Sequence, residues 1–195
     1  LATGVTETLP HVKGIENYYG SSIFSCPFCD GWEMKDRPLI LIAESVQALH
    51  VIKLLKNWTD DLIVATNGNR IFDADQKRLL ETNNIRLIEE MIVELKGTDG
   101  ELQSIVFESG EEIKRSGGFC TTVLDNKLPF IEQLGIEVNE AGFIIADVMG
   151  HTNIKGIYAA GEITGPSQLI VSASQGHMVG IGIIADSCEE AFQSI

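Results

Sequence analysis

Residues 38–66 leave the fewest folds open. Pro38 to Ala43 (Pro-Leu-Ile-Leu-Ile-Ala) is a short unbroken apolar run, the pattern of a strand buried on both faces. Ser45 to Trp58 follows as a helix. Val46, Leu49, Ile52 and Leu55, together with Val51, Leu54 and Trp58, give it a broad apolar face. Asp61 to Thr66 (Asp-Leu-Ile-Val-Ala-Thr) is a second run of the first kind. Strand, helix and strand with short connections make a β-α-β unit, and an α/β fold with a parallel sheet is predicted.

The flanking segments extend that unit into a Rossmann-like domain. Asp73 to Asn83 reads as a helix capped by Asp73, and Ile85 to Ile88 as the next strand. Ile92 to Lys96, Leu102 to Glu108 and Glu111 to Lys114 are separated by Gly100 and Gly110, which predicts an antiparallel meander. Ser116-Gly117-Gly118 breaks the pattern, and Phe119 to Val123 is read as a strand leaving the domain. Beyond it, Leu128 to Gly135 reads as a short helix with Gly135 just past its end. Phe143 to Ala146 and Ile157 to Ala160 read as short strands, and Gln168 to Phe192 as the longest helix. At the other end, Leu1-Ala2-Thr3-Gly4 reads as the end of a strand, Thr8 to Gly14 as a linker, and Ile15 to Gly20 as one helical turn.

Composition excludes some partners. The net charge of −14 argues against nucleic acid, which needs a basic surface, and against anionic membrane. No apolar run nears the about 20 residues that cross a bilayer, so no membrane partner is expected. No secretory leader is expected either, and four cysteines with one close pair fit a reducing cytoplasm.

That pair lies in Cys26-Pro27-Phe28-Cys29-Asp30-Gly31-Trp32. Two thiols two residues apart can close a disulfide across one turn. With Cys26 as a helix cap, Pro27 falls in the first turn, where a missing N–H costs nothing. Unpaired N–H groups there favour a thiolate, and Asp30 is placed to carry protons during exchange. A redox dithiol is the sharp reading, with Cys26, Cys29 and Asp30 as catalytic candidates. Three plainer readings stand beside it: a zinc site, a structural disulfide or inert thiols, and a glutaredoxin-like module. Zinc lacks a second pair of ligands, because Cys120 and Cys188 stand alone, and no metal site is expected. Trp32 and Phe28 read as cover for the dithiol, His50 as a partly exposed helix residue, and His177 as a packed or capped residue on the last helix.

In this order and spacing the motifs resemble those of the low-molecular-weight thioredoxin reductases, pyridine nucleotide–disulfide flavoproteins with two Rossmann-type domains. Leu1-Ala2-Thr3-Gly4 is similar to the family's Ala-Thr-Gly segment, where the chain leaves the FAD domain. Cys26 to Asp30 is similar to its Cys-x-x-Cys-Asp centre, and Gly156 to Glu162 to its Gly-x-x-Ala-x-Gly-Asp flavin motif. Gln168 to Gly176 is similar to the start of its last helix. The resemblance implies three parts: 1–14 as the end of an FAD-domain segment with a linker, 15–118 as the NAD(P)H-type domain carrying the cysteines, and 119–195 as the carboxyl-terminal part of the FAD domain. It implies that Cys29 receives electrons from the flavin and Cys26 attacks a partner disulfide. Gly161, Glu162, Gln168 and Leu169 would face FAD. The implied partner is a thioredoxin-like protein or a small disulfide, and the implied assembly a homodimer.

The chain departs from that pattern in informative places. No Gly-x-Gly-x-x-Gly turn for the FAD pyrophosphate is present, so the stretch is expected to begin where that half-domain ends and to carry no stoichiometric FAD by itself. The turn expected to hold NAD(P)H reads Ala43-Glu44-Ser45-Val46-Gln47-Ala48 where the family pattern is Gly-x-Gly-x-x-Ala. Side chains at Ala43 and Ser45 and the charge of Glu44 oppose a pyrophosphate, and an ordinary strand-to-helix connection is the competing reading. Thr66-Asn67-Gly68-Asn69-Arg70 carries one arginine and no acidic residue for a ribose, and Glu162 replaces the family's aspartate. The alternative function is therefore a family member with a degenerate nucleotide site, either a reductase fed by another donor or a regulatory module.

Overall fold

The computed structural model describes residues 1–125 and 128–193. Its contacts divide the chain into two compact units, Thr8–Val123 and Leu1–Glu7 with Leu124–Ile195. The strands in order are β1 (Thr6–Thr8), β2 (Ile23–Phe24), β3 (Leu39–Ile42), β4 (Leu62–Ala65), β5 (Arg86–Ile88), β6 (Ile92–Thr98), β7 (Glu101–Phe107), β8 (Glu112–Lys114), β9 (Gly118–Cys120) and β10 (Val123–Asp125). The α-helices are α1 (Pro27–Asp30), α2 (Ala48–Leu55), α3 (Ala74–Thr82), α4 (Pro129–Gln133) and α5 (Leu169–Gln193). The fold is α/β, as the sequence predicts.

The Thr8–Val123 unit has three layers. Its central sheet runs β2-β9-β3-β4-β5, with β2, β9, β3, β4 and β5 all parallel to their neighbours. Because successive strand residues face opposite sides, the apolar run of β3 feeds both faces. Ile40 and Ile42, with Ile63 and Ala65 of β4, pack on one side against Ile92, Leu95, Leu102, Ile105 and Phe107 of the meander β6-β7-β8. Leu39 and Leu41, with Leu62 and Val64, pack on the other against Ala48, Ile52 and Leu55 of α2 and Leu80 of α3. Each such Leu or Ile contributes about 1.5–3 kcal/mol when fully buried. Both core layers therefore rest on alternation in the two runs read from the sequence.

Local signals place the ends. Asp73 caps α3 through a capping box, accepting from the Gln76 N–H at 2.8 Å while the Gln76 side chain accepts from the Asp73 N–H at 2.9 Å. Asp99 and Gly100, at φ 52° and 82°, turn the chain tightly between β6 and β7.

Four expectations are corrected. The helix predicted from Ser45 to Trp58 is regular only over Ala48–Leu55, and tight turns flank it: Ala48, Leu49 and His50 each bond three residues back, and Asn57 Nδ2 donates to the Leu54 carbonyl. The strand read as leaving at Phe119 is instead β9, seated between β2 and β3. Gly118 is what permits this, since a Cβ there would collide with the Ile40 backbone oxygen. Phe143–Ala146 and Ile157–Ala160 form only single bridges, Val138 to Ile144 and His151 to Tyr158, because Asp147 turns the chain between them. Leu1–Gly4 is not strand, although Leu1 exchanges backbone bonds with Tyr158 and Ala160.

The other unit has a small core of Ile131, Ile136, Ile144, Ala159 and Ile163, with α4 and α5. Alone among the described helices, α5 is long and apolar enough by length and composition to cross a membrane, although no unbroken apolar run in it nears that length. Its Ser, Gly, Gln and His residues interrupt every apolar run without lowering the average far enough.

Candidate functional site

Cys26 and Cys29 are joined by a disulfide, with Cα atoms 5.3 Å apart. Cys26 is the N-cap of α1 in extended conformation and Pro27 is the first helical residue. The amides of Cys29 and Asp30 donate to the Cys26 carbonyl at 3.1 and 3.2 Å. The helix is a single turn, so its axial field is small. Cys29 is exposed and Cys26 half-buried. Among the described residues no cluster of His, Cys, Asp and Glu suits a metal ion, and both sulfurs are committed to each other.

Gly31 closes α1 and carries the packing that orients it. A Cβ at Gly31 would collide with the Trp58 indole and the Pro27 carbonyl oxygen. Trp58 thus lies directly on the disulfide turn, with Trp32 edge-on to it at 6.3 Å between ring centroids. The Trp58 carbonyl accepts from the Asp36 amide at 2.8 Å, and Lys35 Nζ lies 5.4 Å above the Trp32 ring. Phe28 and Trp32 are each 68 % exposed, so they do not bury the disulfide as the sequence reading expects. Burial first, and the charge of Glu33 second, raise the Asp30 carboxyl above its ordinary value, which suits a proton donor.

The β3–α2 turn is occupied by its own residues. Glu44 Oε1 accepts from Asn67 Nδ2 at 3.0 Å, and Glu44 Oε2 lies 3.7 Å from His11 Nδ1. Asn67 is 7 % exposed and sits at φ 49°, a left-handed conformation that Asn tolerates well. Its Nδ2 also donates to the His11 carbonyl at 3.3 Å, and its Oδ1 accepts from the Ile92 amide at 3.1 Å. Ala43 is fully buried, whereas Ser45 and Val46 are exposed. The structure therefore links Glu44 to the end of β4, a pairing across 23 residues that no local pattern announces.

In the other unit Gly161, Glu162 and Leu169 line one cleft of about 410 Å³, together with Ala2, Gly4 and Ser172. Gln168 does not line it; its carbonyl accepts from Val171 and Ser172 at the start of α5. Gly161 has φ 80°, a left-handed backbone that favours glycine, and donates to Gln175 Oε1 at 2.9 Å. Glu162 is exposed, as are His50 and His177. Gly161, Glu162 and Leu169 are the residues of this cleft that could hold the polyol and ring portion of a flavin.

A cluster missed in the sequence lies nearby. His151 Nδ1 is 2.8 Å from Asp147 Oδ2, and its Nε2 is 3.2 Å from Asp186 Oδ2 of α5, an ion-pair distance that is not aligned for a hydrogen bond. Tyr158 donates to the same Asp186 oxygen at 2.5 Å. The Asp147 hydrogen bond raises the His151 pKa, and the Asp186 hydrogen bond pushes the Tyr158 phenol up to about 12. The Asp147-x-x-x-His151 spacing, in a turn-rich stretch, was its only sequence signal.

Fold and disulfide together define a nucleotide-type α/β module carrying a dithiol–disulfide couple. A family model described as pyridine nucleotide-disulphide oxidoreductase matches residues 1–176, and the chain belongs to that family. It is 25 % identical over 197 residues to thioredoxin reductase aclD of Aspergillus oryzae, covering 95 % of this chain and 62 % of that protein. It is 29 % identical to thioredoxin reductase sirT of Leptosphaeria maculans, over 94 % of this chain and 61 % of that protein. The crystal structure of the putative thioredoxin reductase TrxB from Bacillus anthracis superposes with a TM-score of 0.93 at 45 % identity, covering 98 % of this chain and 64 % of that one. The chain thus spans under two thirds of the length of these relatives.

Proposed function

We propose that this chain is the redox and carboxyl-terminal portion of a flavin-dependent disulfide reductase of thioredoxin reductase type, acting in the cytoplasm as a homodimer. The observation that carries the reading is the Cys26–Cys29 disulfide on a proline-led turn beside a carboxyl of raised pKa. In the reduced state the Cys26 thiolate attacks one sulfur of the substrate disulfide. A mixed disulfide forms and the first substrate thiolate leaves, taking a proton from Asp30. Cys29 then attacks the Cys26 sulfur, releases the second thiol and closes the intramolecular disulfide. Two electrons and two protons pass to the substrate. FAD, when held by Gly161, Glu162 and the α5 amino end, would supply the electron pair that reopens the disulfide. The substrate is a thioredoxin-like protein or a small disulfide.

Single variants in a Cys188→Ser background test the assignment. Cys29→Ser is expected to trap an aromatic disulfide probe as a stable adduct at Cys26, and Cys26→Ser is expected not to. Because Cys29 is the more exposed of the two, the opposite result would reverse their roles, and no adduct in either variant would overturn the reductase reading.

A second reading is favoured by the Glu44–Asn67 bond. With the β3–α2 turn bonded to the end of β4, the electrons come from a donor other than NAD(P)H.

A further inference from the structure

The strand order β5-β4-β3-β9 places the reversal of winding between β3 and β9. In such sheets a dinucleotide lies across the carboxyl ends of the strands. Its pyrophosphate meets the first strand-to-helix turn, and its ribose meets the end of the next strand. Here the first position is Ala43 to Ala48, after β3, and the second is Thr66 and Asn67, after β4. A binding-competent crevice would leave both open to the ligand. Instead the two positions are bonded to each other.

We propose that Glu44 is the specificity-determining residue of this crevice, held by Asn67 as a lock that excludes phosphate-bearing dinucleotides. This rests on the family reading of the crevice and goes beyond the loss of glycine at Ala43 and Ser45.

The lock has three supports. Asn67 is fixed from three directions, through the His11 carbonyl, the Ile92 amide and Glu44 itself, so its amide cannot turn toward a ribose hydroxyl without leaving Ile92 N–H unsatisfied. Its left-handed backbone positions that side chain under Glu44. Glu44, three-quarters covered, brings a negative charge to the place a pyrophosphate would need, where reduced solvent screening strengthens the repulsion. A pyrophosphate would therefore have to displace a hydrogen-bonded carboxylate and then face it.

Calorimetric titration of the folded chain with NADPH and with NADH tests this in four forms. The wild type is expected to bind weaker than about 100 μM. Ala43→Gly with Ser45→Gly, Glu44 retained, is expected to stay within about threefold of wild type, which separates the lock from the missing glycines. Glu44→Gln keeps an acceptor for Asn67 and removes the charge, and is expected to bind about tenfold tighter, the equivalent of 1.4 kcal/mol. Glu44→Gly combined with the two glycines is expected to bind about a hundredfold tighter. Tight binding by the wild type, full recovery by the glycine pair alone, or no gain in the triple variant with an unchanged circular dichroism spectrum would each overturn the lock. Adduct formation at Cys26 does not depend on Glu44, so a failure of the reductase reading shows in that assay and not in this one.

Discussion

Gly31→Ala is the most informative single change, because a methyl group there meets both the Pro27 backbone oxygen and the Trp58 ring. Gly31 has helical φ and ψ of −64° and −33°, so alanine is conformationally acceptable. Taken alone, that exchange stabilises by about 0.4–1 kcal/mol through the unfolded chain. The added Cβ, however, falls on the Trp58 ring and on the Pro27 carbonyl oxygen, at separations no real Cβ shows. Backbone cannot yield as a flexible side chain would, and overpacking of this kind costs about 1–3 kcal/mol. The steric term wins, and a net loss of about 1–2 kcal/mol is expected, or a fall of about 4–8 °C in Tm for a domain near a hundred residues. Denaturation followed by tryptophan fluorescence reads both parts, since the two tryptophans, Trp32 and Trp58, both flank the disulfide turn. A second consequence is a changed native emission spectrum, because Trp58 must leave its place against the turn. A variant as stable as wild type, with unchanged emission, would show that Trp58 does not seat on Gly31, and the packing account of the redox turn would fall.

Two further outcomes are expected. Of the four cysteines, Cys188 is expected to react with a thiol reagent in the native oxidised protein, Cys120 only on unfolding because it is 1 % exposed, and Cys26 and Cys29 only after reduction; four thiols reacting at the outset would refute the disulfide. The raised His151 pKa gives a contribution that is complete below the ordinary imidazole value of about 6.5 and fades as pH climbs through the folded value. The lowered Asp147 value limits the same contact at its acid end, so it is strongest in mildly acidic solution, and His151→Gln is expected to flatten the stability profile from about pH 6 to 8.

What was legible in the sequence followed from short-range periodicity. The runs Leu39–Ile42 and Leu62–Ala65 announce two-faced burial because no polar residue interrupts them, and the Asp73–Gln76 box lies within four residues. The cysteine pair needed only its spacing. What stayed hidden depends on residues brought together by the sheet. Gly118 looks like a break because glycine usually is one, yet it lies mid-sheet where only a hydrogen fits against Ile40. Trp58 reads as the last apolar residue of a helical face, whereas its ring covers a turn 27 residues earlier. Glu44 looked like a charge that would merely repel a ligand, and its bond to Asn67 is set by the register of β3 on β4.

α5 shows the same limit from the other side. Periodicity would have an amphipathic helix bury its apolar stripe and expose its polar one. Here many of the contacts within its unit are made by polar and small residues, although Val179 packs on Gly150. Gln175 accepts from the Gly161 amide, Ser172 meets Ser167, Asp186 accepts from Tyr158, and Glu190 pairs with Lys155. Gly182, its only buried residue, lies against Met149, where a Cβ would strike the backbone oxygen. Leu169, Ile170, Ile184 and Phe192 meanwhile remain 88, 74, 66 and 79 % exposed. A hydrogen bond contributes about 1 kcal/mol net, against about 1.5–3 kcal/mol for a buried Leu or Phe. Within its own unit α5 is thus held largely by the weaker of the two kinds of contact, and most of its larger apolar side chains are left exposed. Composition alone reads such a helix as a core element or a membrane span. The positions of Gln175, Gly182 and Asp186 show a helix docked largely through polar and small groups.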